Sequence, residues 1–124
     1  MEAISTDKAP AAVGPYSQAV RTGNLLFVSG QLPIDPRTGQ LPDDMLQQMQ
    51  QCLENIDAIA LAAGTSLAKT VKTTVLVTDL SRFSEFNDVY GKAFNAPFPA
   101  RACYEVSALP RGAKVEIEAV IALD

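Results

Sequence analysis

Two segments near the C-terminus alternate along the chain, and both carry ionisable groups where a simple core strand would not. Alternation over residues 98–106 predicts a strand whose one face holds the polar residues Arg101, Cys103 and Glu105. In residues 115–119, Glu116 and Glu118 share a face. An arginine, a cysteine and a carboxylate on neighbouring strands would make a small polar site on an apolar platform. The alternative is an Arg–Glu pair across a solvated sheet face, which contributes little.

Composition narrows the possible chemistry. The 124 residues are long enough for one domain, and 48% of them are hydrophobic, so we expect a single globular domain over residues 1–124. The net charge is −4 and there is no basic run, which argues against nucleic acid as a partner. There is no histidine, which removes the Ser-His-Asp triad and the commonest metal ligand. We therefore expect neither a metal nor a cofactor.

The two cysteines and the N-terminus favour an ordinary intracellular protein. Cys52 and Cys103 are far apart and form no CxxC motif, so neither a zinc site nor a redox pair is indicated. No basic segment followed by an apolar one opens the chain, and no apolar run approaches membrane length. We expect a soluble, cytoplasmic protein that does not contact a membrane.

The N-terminal part of the chain predicts a shaped loop followed by a hairpin. Two prolines and a glycine within residues 9–19 favour an extended loop. Residues 17–21 and 25–29 read as strands joined by a tight turn at residues 22–24. Residues 25–28 are apolar on both faces, so helices or another subunit should cover both sides of the sheet there. Gly30, at the end of this strand, would let backbone N–H groups approach a ligand closely.

The middle of the chain predicts two amphipathic helices. For the first helix, Asp44 is a candidate N-cap with Gln47 in the capping-box position, and Gly64 is a candidate C-cap. We expect its polar residues to lie opposite the apolar stripe that contains Cys52. A strand over residues 71–77 leads to a second helix from about residue 80 to residue 94, capped by residues 78–79. The prediction is an α+β domain with one mixed sheet and two helices on one face. The uncovered face invites oligomerisation.

Four motifs resemble the reactive intermediate deaminase (Rid/YjgF) family. They are residues 14–19 (GPYSQA), 28–31 (VSGQ), 98–103 (FPARAC) and 115–119 (VEIEA), in register over nearly the whole chain. Arg101 with Cys103 and Glu116 is similar to the RidA branch, the 2-iminobutanoate/2-iminopropanoate deaminases. Tyr104 departs from the small aliphatic residue more usual beside the cysteine, and residues 90–98 fall in a region of variable length; both would alter the rim of a site.

The resemblance implies an assembly and a reaction. It implies a chorismate-mutase-like homotrimer whose sheets form a central β-barrel, with three clefts between neighbouring subunits. It implies hydrolysis of enamine or imine products of pyridoxal-phosphate dehydratases, such as 2-aminoacrylate and 2-iminobutanoate, to 2-oxo acids and ammonia. A small-molecule substrate and a functional link to those dehydratases follow from the same resemblance.

The motif positions suggest a role for each polar residue. Arg101 is expected to hold the substrate carboxylate in a bidentate fork, which a lysine could not reproduce. Glu116 is expected to position or deprotonate the attacking water. Glu118 shares its strand face, so alternation leaves both carboxylates open for this role, and the motif alignment favours Glu116.

The remaining candidates are expected to shape the site around those two groups. Backbone N–H groups of Gly30 and Cys103 are expected to anchor the imine nitrogen. Ser29 and Tyr16 are expected to line the cleft. Cys103 is also predicted to belong to the catalytic site, where we expect its side chain to provide packing and polar contacts. We do not expect it to act as a nucleophile, because no histidine or other base is placed to make a thiolate.

Two alternative functions remain at this level. The family also carries endoribonuclease and translation-inhibitor descriptions, against which the acidic balance argues here. The other alternative, a third class beside the deaminase and the endoribonuclease, is a small-carboxylate-binding or chaperone-like protein. A binder that keeps Arg101 would tolerate the loss of Glu116, whereas a hydrolase would not.

Overall fold

The computed structural model describes residues 1–124 as one six-stranded sheet with two helices. The elements are β1 Glu2–Ile4, β2 Ala19–Thr22, β3 Leu25–Gln31, α1 Met45–Ala62, β4 Thr70–Val77, α2 Phe83–Ala93, β5 Ala100–Glu105 and β6 Val115–Ala122. The predicted α+β class and the order of the predicted elements are confirmed. Strand β1 was not predicted, because three residues are too few to show a periodicity.

The strand order is β1-β2-β3-β6-β4-β5, and only the β4–β5 pair is parallel. A parallel pair needs a crossover connection, and α2 supplies it between β4 and β5. Strand β6 then pairs with β3 and β4 in the middle of the sheet. The expectation that the strands carrying Arg101 and Glu116 are neighbours is therefore wrong, because β4 lies between them.

Both helices lie on the same face of the sheet. Helix α1 packs against β3, β6 and α2, and the core between helices and sheet includes Leu26, Val28, Ile117 and Ile121. Phe27 points to the opposite face and is 45% exposed. The helices of the chain cover one side of β3, and coverage of the second side by another subunit stays a prediction.

Helix α1 begins at the predicted N-cap, and its C-cap is Ala63, one residue before the predicted Gly64. The Asp44 carboxylate accepts hydrogen bonds from the N–H groups of Leu46 and Gln47 at 3.0 and 3.1 Å. The Gln47 side chain makes no return bond to Asp44, so only half of a capping box forms. Gly64 follows the C-cap residue Ala63 with φ of 86°, the left-handed conformation that favours glycine.

Two polar residues of α1 face inward, contrary to the expectation that its polar residues lie opposite the apolar stripe. The Asn55 amide donates to the carbonyl oxygens of Leu32 and Ile34 at 3.1 and 2.9 Å. Gln48 donates to Pro42 O at 2.7 Å and accepts from Lys114 N at 2.8 Å. These buried amides hold the proline-containing loop after β3 to the helix, because each satisfies backbone groups that the loop cannot pair internally.

The second helix begins as a tighter turn. Asp79 accepts a hydrogen bond from Ser81 N at 2.9 Å and caps a 3₁₀ turn, Leu80–Arg82, which runs into α2. Phe86 and Tyr90 bury the inner side of the helix, as the spacing predicted. Neither helix of the chain is long and apolar enough to cross a membrane.

Candidate functional site

A cleft of about 720 Å³ opens on the sheet face that the helices leave uncovered. Its walls come from the N-terminal loop, the end of β3, the turn before β6 and the start of β6. The sequence-predicted residues in its lining are Tyr16, Ser29, Gly30, Glu116 and Glu118. Four of the six predicted site residues thus meet at one place, together with the alternative carboxylate.

A β-bulge brings two of these residues to the same face. Val28 pairs with Ala119 and Gln31 with Ile117, so Ser29 and Gly30 together oppose the single residue Glu118. A bulge of this kind adds one residue to one strand and shifts its alternation. Val28 and Gln31 consequently both point into the core, and the two bulged residues both lie on the cleft side.

Gly30 is required by its contact with Glu116. A Cβ atom on Gly30 would overlap with Glu116 Oε2 and would lie 3.0 Å from its Cδ. Gly30 does not have a positive φ, so its backbone conformation is open to any residue. The constraint is steric: any larger residue at this position would move the Glu116 carboxylate from the place that it occupies here.

The N-terminal wall of the cleft is held by hydrogen bonds that sequence patterns did not reveal. Ser29 Oγ donates to Ser17 O at 2.6 Å, which ties the loop to β3. The buried Gln18 amide donates to the carbonyl oxygens of Thr6 and Pro10 at 3.1 and 2.7 Å. Tyr16, 52% exposed, is therefore presented at the rim from a loop that is anchored on both sides. Gln18 lies within the GPYSQA motif, which was its only signal.

The electrostatics of the cleft favour a protonatable carboxyl group. Burial raises the pKa of Glu116, and the charge of Glu118 on the same face raises this pKa further. Partial desolvation and a like charge together make Glu116 a stronger base than an ordinary glutamate. That property suits a group that takes a proton from water.

Arg101 and Cys103 lie elsewhere. In the β4–β5 ladder Arg101 pairs with Thr73 and Cys103 with Val75, so both occupy the helix-covered face. Glu116 pairs with Leu76 on the opposite face. One chain therefore does not bring Arg101 and Glu116 together, and it forms neither the Arg–Cys–carboxylate site nor the cross-strand ion pair that the alternation suggested.

Arg101 is held against helix α2 at the edge of the sheet. Its Nη1 donates to Asn87 Oδ1 at 2.8 Å, and its guanidinium lies 5.3 and 4.9 Å from the ring centroids of Phe83 and Tyr90. No carboxylate of the chain lies within ion-pair distance of Arg101. Sequence reasoning missed Asn87, although its spacing from Phe83 and Tyr90 places all three on one helix face.

Cys103 is a half-buried residue with a shifted thiol pKa. Burial raises the pKa of the thiol, and the Arg101 charge offsets this only in part. The thiol therefore stays protonated at neutral pH, which does not favour a nucleophile. Its neighbour Glu105 accepts a hydrogen bond from Leu80 N at 2.9 Å and takes no part in the Arg101 contacts.

Comparisons with known proteins agree with this fold and these motifs. The family described as Endoribonuclease L-PSP matches residues 6–123. The chain belongs to this family, which is also known as the Rid/YjgF family. RutC family protein y4sK of Sinorhizobium fredii is 65% identical over 99% of this chain and 98% of its own length.

Two further relatives carry more specific names. The 2-iminobutanoate/2-iminopropanoate deaminase of Escherichia coli K12 is 49% identical, over 94% of this chain and 94% of its own length. Several other relatives at about 50% identity bear the same name. The crystal structure of RidA from the Antarctic bacterium Psychrobacter sp. PAMC 21119 is 50% identical, with a TM-score of 0.95 over 98% of this chain and 99% of that one.

The contact between Gly30 and Glu116 makes a prediction about stability. We expect Gly30→Ala to lower the free energy of unfolding by about 1 kcal/mol or less, because the new methyl group displaces only the flexible end of the Glu116 side chain. In a Glu116→Ala background most of this cost should disappear, which a double-mutant cycle by urea denaturation would measure. Equal costs in both backgrounds would show that the methyl group meets something other than Glu116.

Proposed function

We propose that the protein hydrolyses small 2-imino acids, and their enamine tautomers such as 2-aminoacrylate, to 2-oxo acids and ammonia. The observation that carries this proposal is the division of the site into two complementary halves. One half presents an arginine fork with no carboxylate partner, and the other presents a half-buried carboxylate beside a glycine. A 2-imino acid offers a carboxylate to the first half and an electrophilic C=N carbon to the second.

We propose that a second copy of the chain completes the site. Arg101 and Glu116 lie on opposite faces of the sheet, and the uncovered face carries exposed apolar residues such as Phe27. A homotrimer with its sheets around a central barrel would bury that face and set the Arg101 edge of one subunit against the Glu116 cleft of the next. The high similarity to RidA of Psychrobacter supports the chorismate-mutase-like architecture.

The reaction needs little more than positioning and one base. Arg101 binds the carboxylate, and Glu116 removes a proton from water as its oxygen adds to C2 of the imine. Glu116 returns this proton to the nitrogen, which gives a carbinolamine. Glu116 then takes the proton of the carbinolamine hydroxyl as the C–N bond breaks, so that C2 becomes a carbonyl, and the nitrogen takes up that proton and leaves as ammonia. Backbone N–H groups at Gly30 and Cys103 hold the nitrogen, while Ser29 and Tyr16 orient water and substrate. Imines hydrolyse spontaneously, so orientation and electrostatics supply the acceleration.

The substrate class also defines the partner enzymes. Pyridoxal-phosphate-dependent dehydratases release the enamines and imines that this site would take, so we propose a functional link to such an enzyme in the cytoplasm. The name shared by relatives at about 50% identity supports the same substrates.

The family description also names an endoribonuclease. The net charge of −4 disfavours a polyanionic ligand, and the cleft itself is lined by two carboxylates and one cation, Arg111. RNA binding depends on contacts between cations and phosphates. A carboxylate-binding or chaperone-like protein remains the third class. It shares Arg101 with the deaminase but needs no base.

The first test couples the protein to an amino-acid dehydratase and follows 2-oxo acid release. We expect wild type to accelerate release, and Arg101→Ala to reduce kcat/KM by about 100-fold or more because the charged fork is lost. Glu116→Gln should reduce kcat by a similar factor, on the scale of general-base catalysis.

Matched controls separate these roles. Arg37→Ala removes an exposed arginine paired only with Asp35 and should leave activity unchanged. Glu118→Gln tests the alternative carboxylate: if it abolishes activity and Glu116→Gln does not, Glu118 handles the water. Wild type no faster than buffer on several imines would refute the deaminase proposal and favour a binding protein.

The raised pKa of Glu116 makes a prediction about pH. Only the ionised carboxylate accepts a proton, so kcat/KM should fall on an acidic limb as pH falls through the Glu116 pKa, which burial and Glu118 raise and which the Arg101 charge of a neighbouring subunit would lower. Glu118→Gln removes the second cause of the shift, so the limb should move to lower pH. The measurement subtracts the uncatalysed rate at each pH and uses excess dehydratase. An unmoved limb would assign it to another group.

The assembly makes an independent prediction. Three chains of 13.2 kDa give about 40 kDa by light scattering, and Phe27→Asp should yield a folded but inactive smaller species, because a buried charge opposes assembly. Leu61→Asp alters an exposed leucine on α1, away from the uncovered face, and should leave the trimer intact. A monomeric wild type with full activity would contradict a site shared between copies.

A further inference from the structure

The guanidinium of Arg101 is fixed from two directions by helix α2. Asn87 Oδ1 accepts from its Nη1 at 2.8 Å, and the faces of Phe83 and Tyr90 lie within cation–π distance of the guanidinium carbon. The chain offers no partner to Nε or Nη2. The edge of the fork that remains free is therefore the one that can form two parallel bonds to a carboxylate.

The Tyr90 ring is itself held in place by Thr73 and Phe94. Its hydroxyl shares a 2.7 Å hydrogen bond with Oγ1 of Thr73, which is 1% exposed on β4, and its ring packs against Phe94 with centroids 4.8 Å apart. Thr73 is also the residue that pairs with Arg101 in the β4–β5 ladder. The backbone of Arg101 and the ring under its guanidinium are thus positioned by the same residue of β4.

Holding Arg101 in one conformation costs conformational entropy, and placing asparagine at position 87 weakens helix α2. Arg101 is exposed on an edge strand and would otherwise sample many rotamers, since arginine is among the side chains with most rotamer freedom. Asn87 is an exposed residue in a helix interior, where asparagine is a poorer helix former than alanine. A side chain that weakens its own helix while orienting an unpaired cation points to a role in binding.

We propose that Asn87, Tyr90 and Thr73 are positioning residues that preorganise Arg101 for a bidentate carboxylate. This inference rests on the proposed function, in which Arg101 binds the carboxylate of the 2-imino acid. None of the three is a catalytic residue, because each acts through the guanidinium. We call Phe83, Asn87 and Tyr90 the arginine cradle.

The proposal predicts that variants of the arginine cradle change substrate binding but not the chemical step. The carboxylate does not react, so weakening its fork should raise KM and leave kcat nearly unchanged. We expect Asn87→Ala to raise KM, and the dissociation constant of 2-oxobutanoate as a non-reacting probe, by about tenfold, the scale of one hydrogen bond to a charged group. Its thermal stability should stay equal or rise, because alanine favours the helix. Asp88→Ala, on the same helix without a side-chain contact, is the matched control.

Two isosteric variants sharpen the test. Asn87→Asp should weaken binding more than Asn87→Ala does, because its carboxylate competes with the ligand for the same guanidinium. Tyr90→Phe keeps the ring and removes the bond to Thr73, so it should have a smaller effect than Tyr90→Leu, which removes the ring face.

The decisive experiment uses chemical rescue in the purified full-length protein. Guanidinium chloride at a concentration that leaves the protein folded should restore part of the activity of Arg101→Ala, because the cradle still offers Asn87 and two ring faces to a free guanidinium ion. The double variant Arg101→Ala/Asn87→Ala should show much less rescue. Sodium chloride at equal ionic strength is the control.

The outcomes separate the two proposals. One outcome would overturn the arginine cradle and leave the deaminase proposal standing. In it, wild type is active, Asn87→Ala behaves like Asp88→Ala, and guanidinium rescues the single and double variants equally. Wild type that neither binds 2-oxobutanoate nor accelerates imine hydrolysis would overturn the proposed function itself, and the cradle's role with it.

Discussion

Burial of only one face of the sheet is the constraint on which the rest of the structure depends. Two amphipathic helices supply enough apolar surface for one side, and the alternating residues of β3, β4 and β6 fill the core beneath them. The same alternation sends every second residue to the open side, where Phe27 and Glu116 lie. The candidate cleft exists on that side because no element of the chain covers it.

Two local departures from regular structure turn this open face into a site. The bulge at Ser29 and Gly30 interrupts the alternation of β3, so that both residues border the cleft and Gly30 leaves room for the Glu116 carboxylate. Buried amides then hold the surrounding loops: Gln18 anchors the N-terminal wall, and Asn55 anchors the segment after β3. These polar contacts are fully paired, which is why they add rigidity without the cost of an unsatisfied buried group.

Helix α2 has two consequences that follow from its role as a crossover. It makes β5 parallel to β4, which moves Arg101 to the edge of the sheet and away from β6. It also lies over the side of β5 that carries Arg101, so its aromatic side chains and Asn87 surround the guanidinium. The cation and the carboxylate are separated by the sheet itself. The proposed reaction consequently depends on a second copy of the chain.

Short-range periodicity determined much of this protein. Alternation identified β4, β5 and β6 and the residues that share a face within each strand, while helical spacing and the Asp44 cap located α1. The motifs located Tyr16, Ser29, Gly30 and Glu116, which the fold brings to one cleft. Only the tertiary structure decided that β4 separates β5 from β6, that Gln48 and Asn55 face inward, and that Asn87 holds Arg101. The physical reason is that a period of two specifies which residues of a strand lie together, but not which strand lies beside it or which face the helices cover. Those choices depend on contacts between residues far apart in the chain.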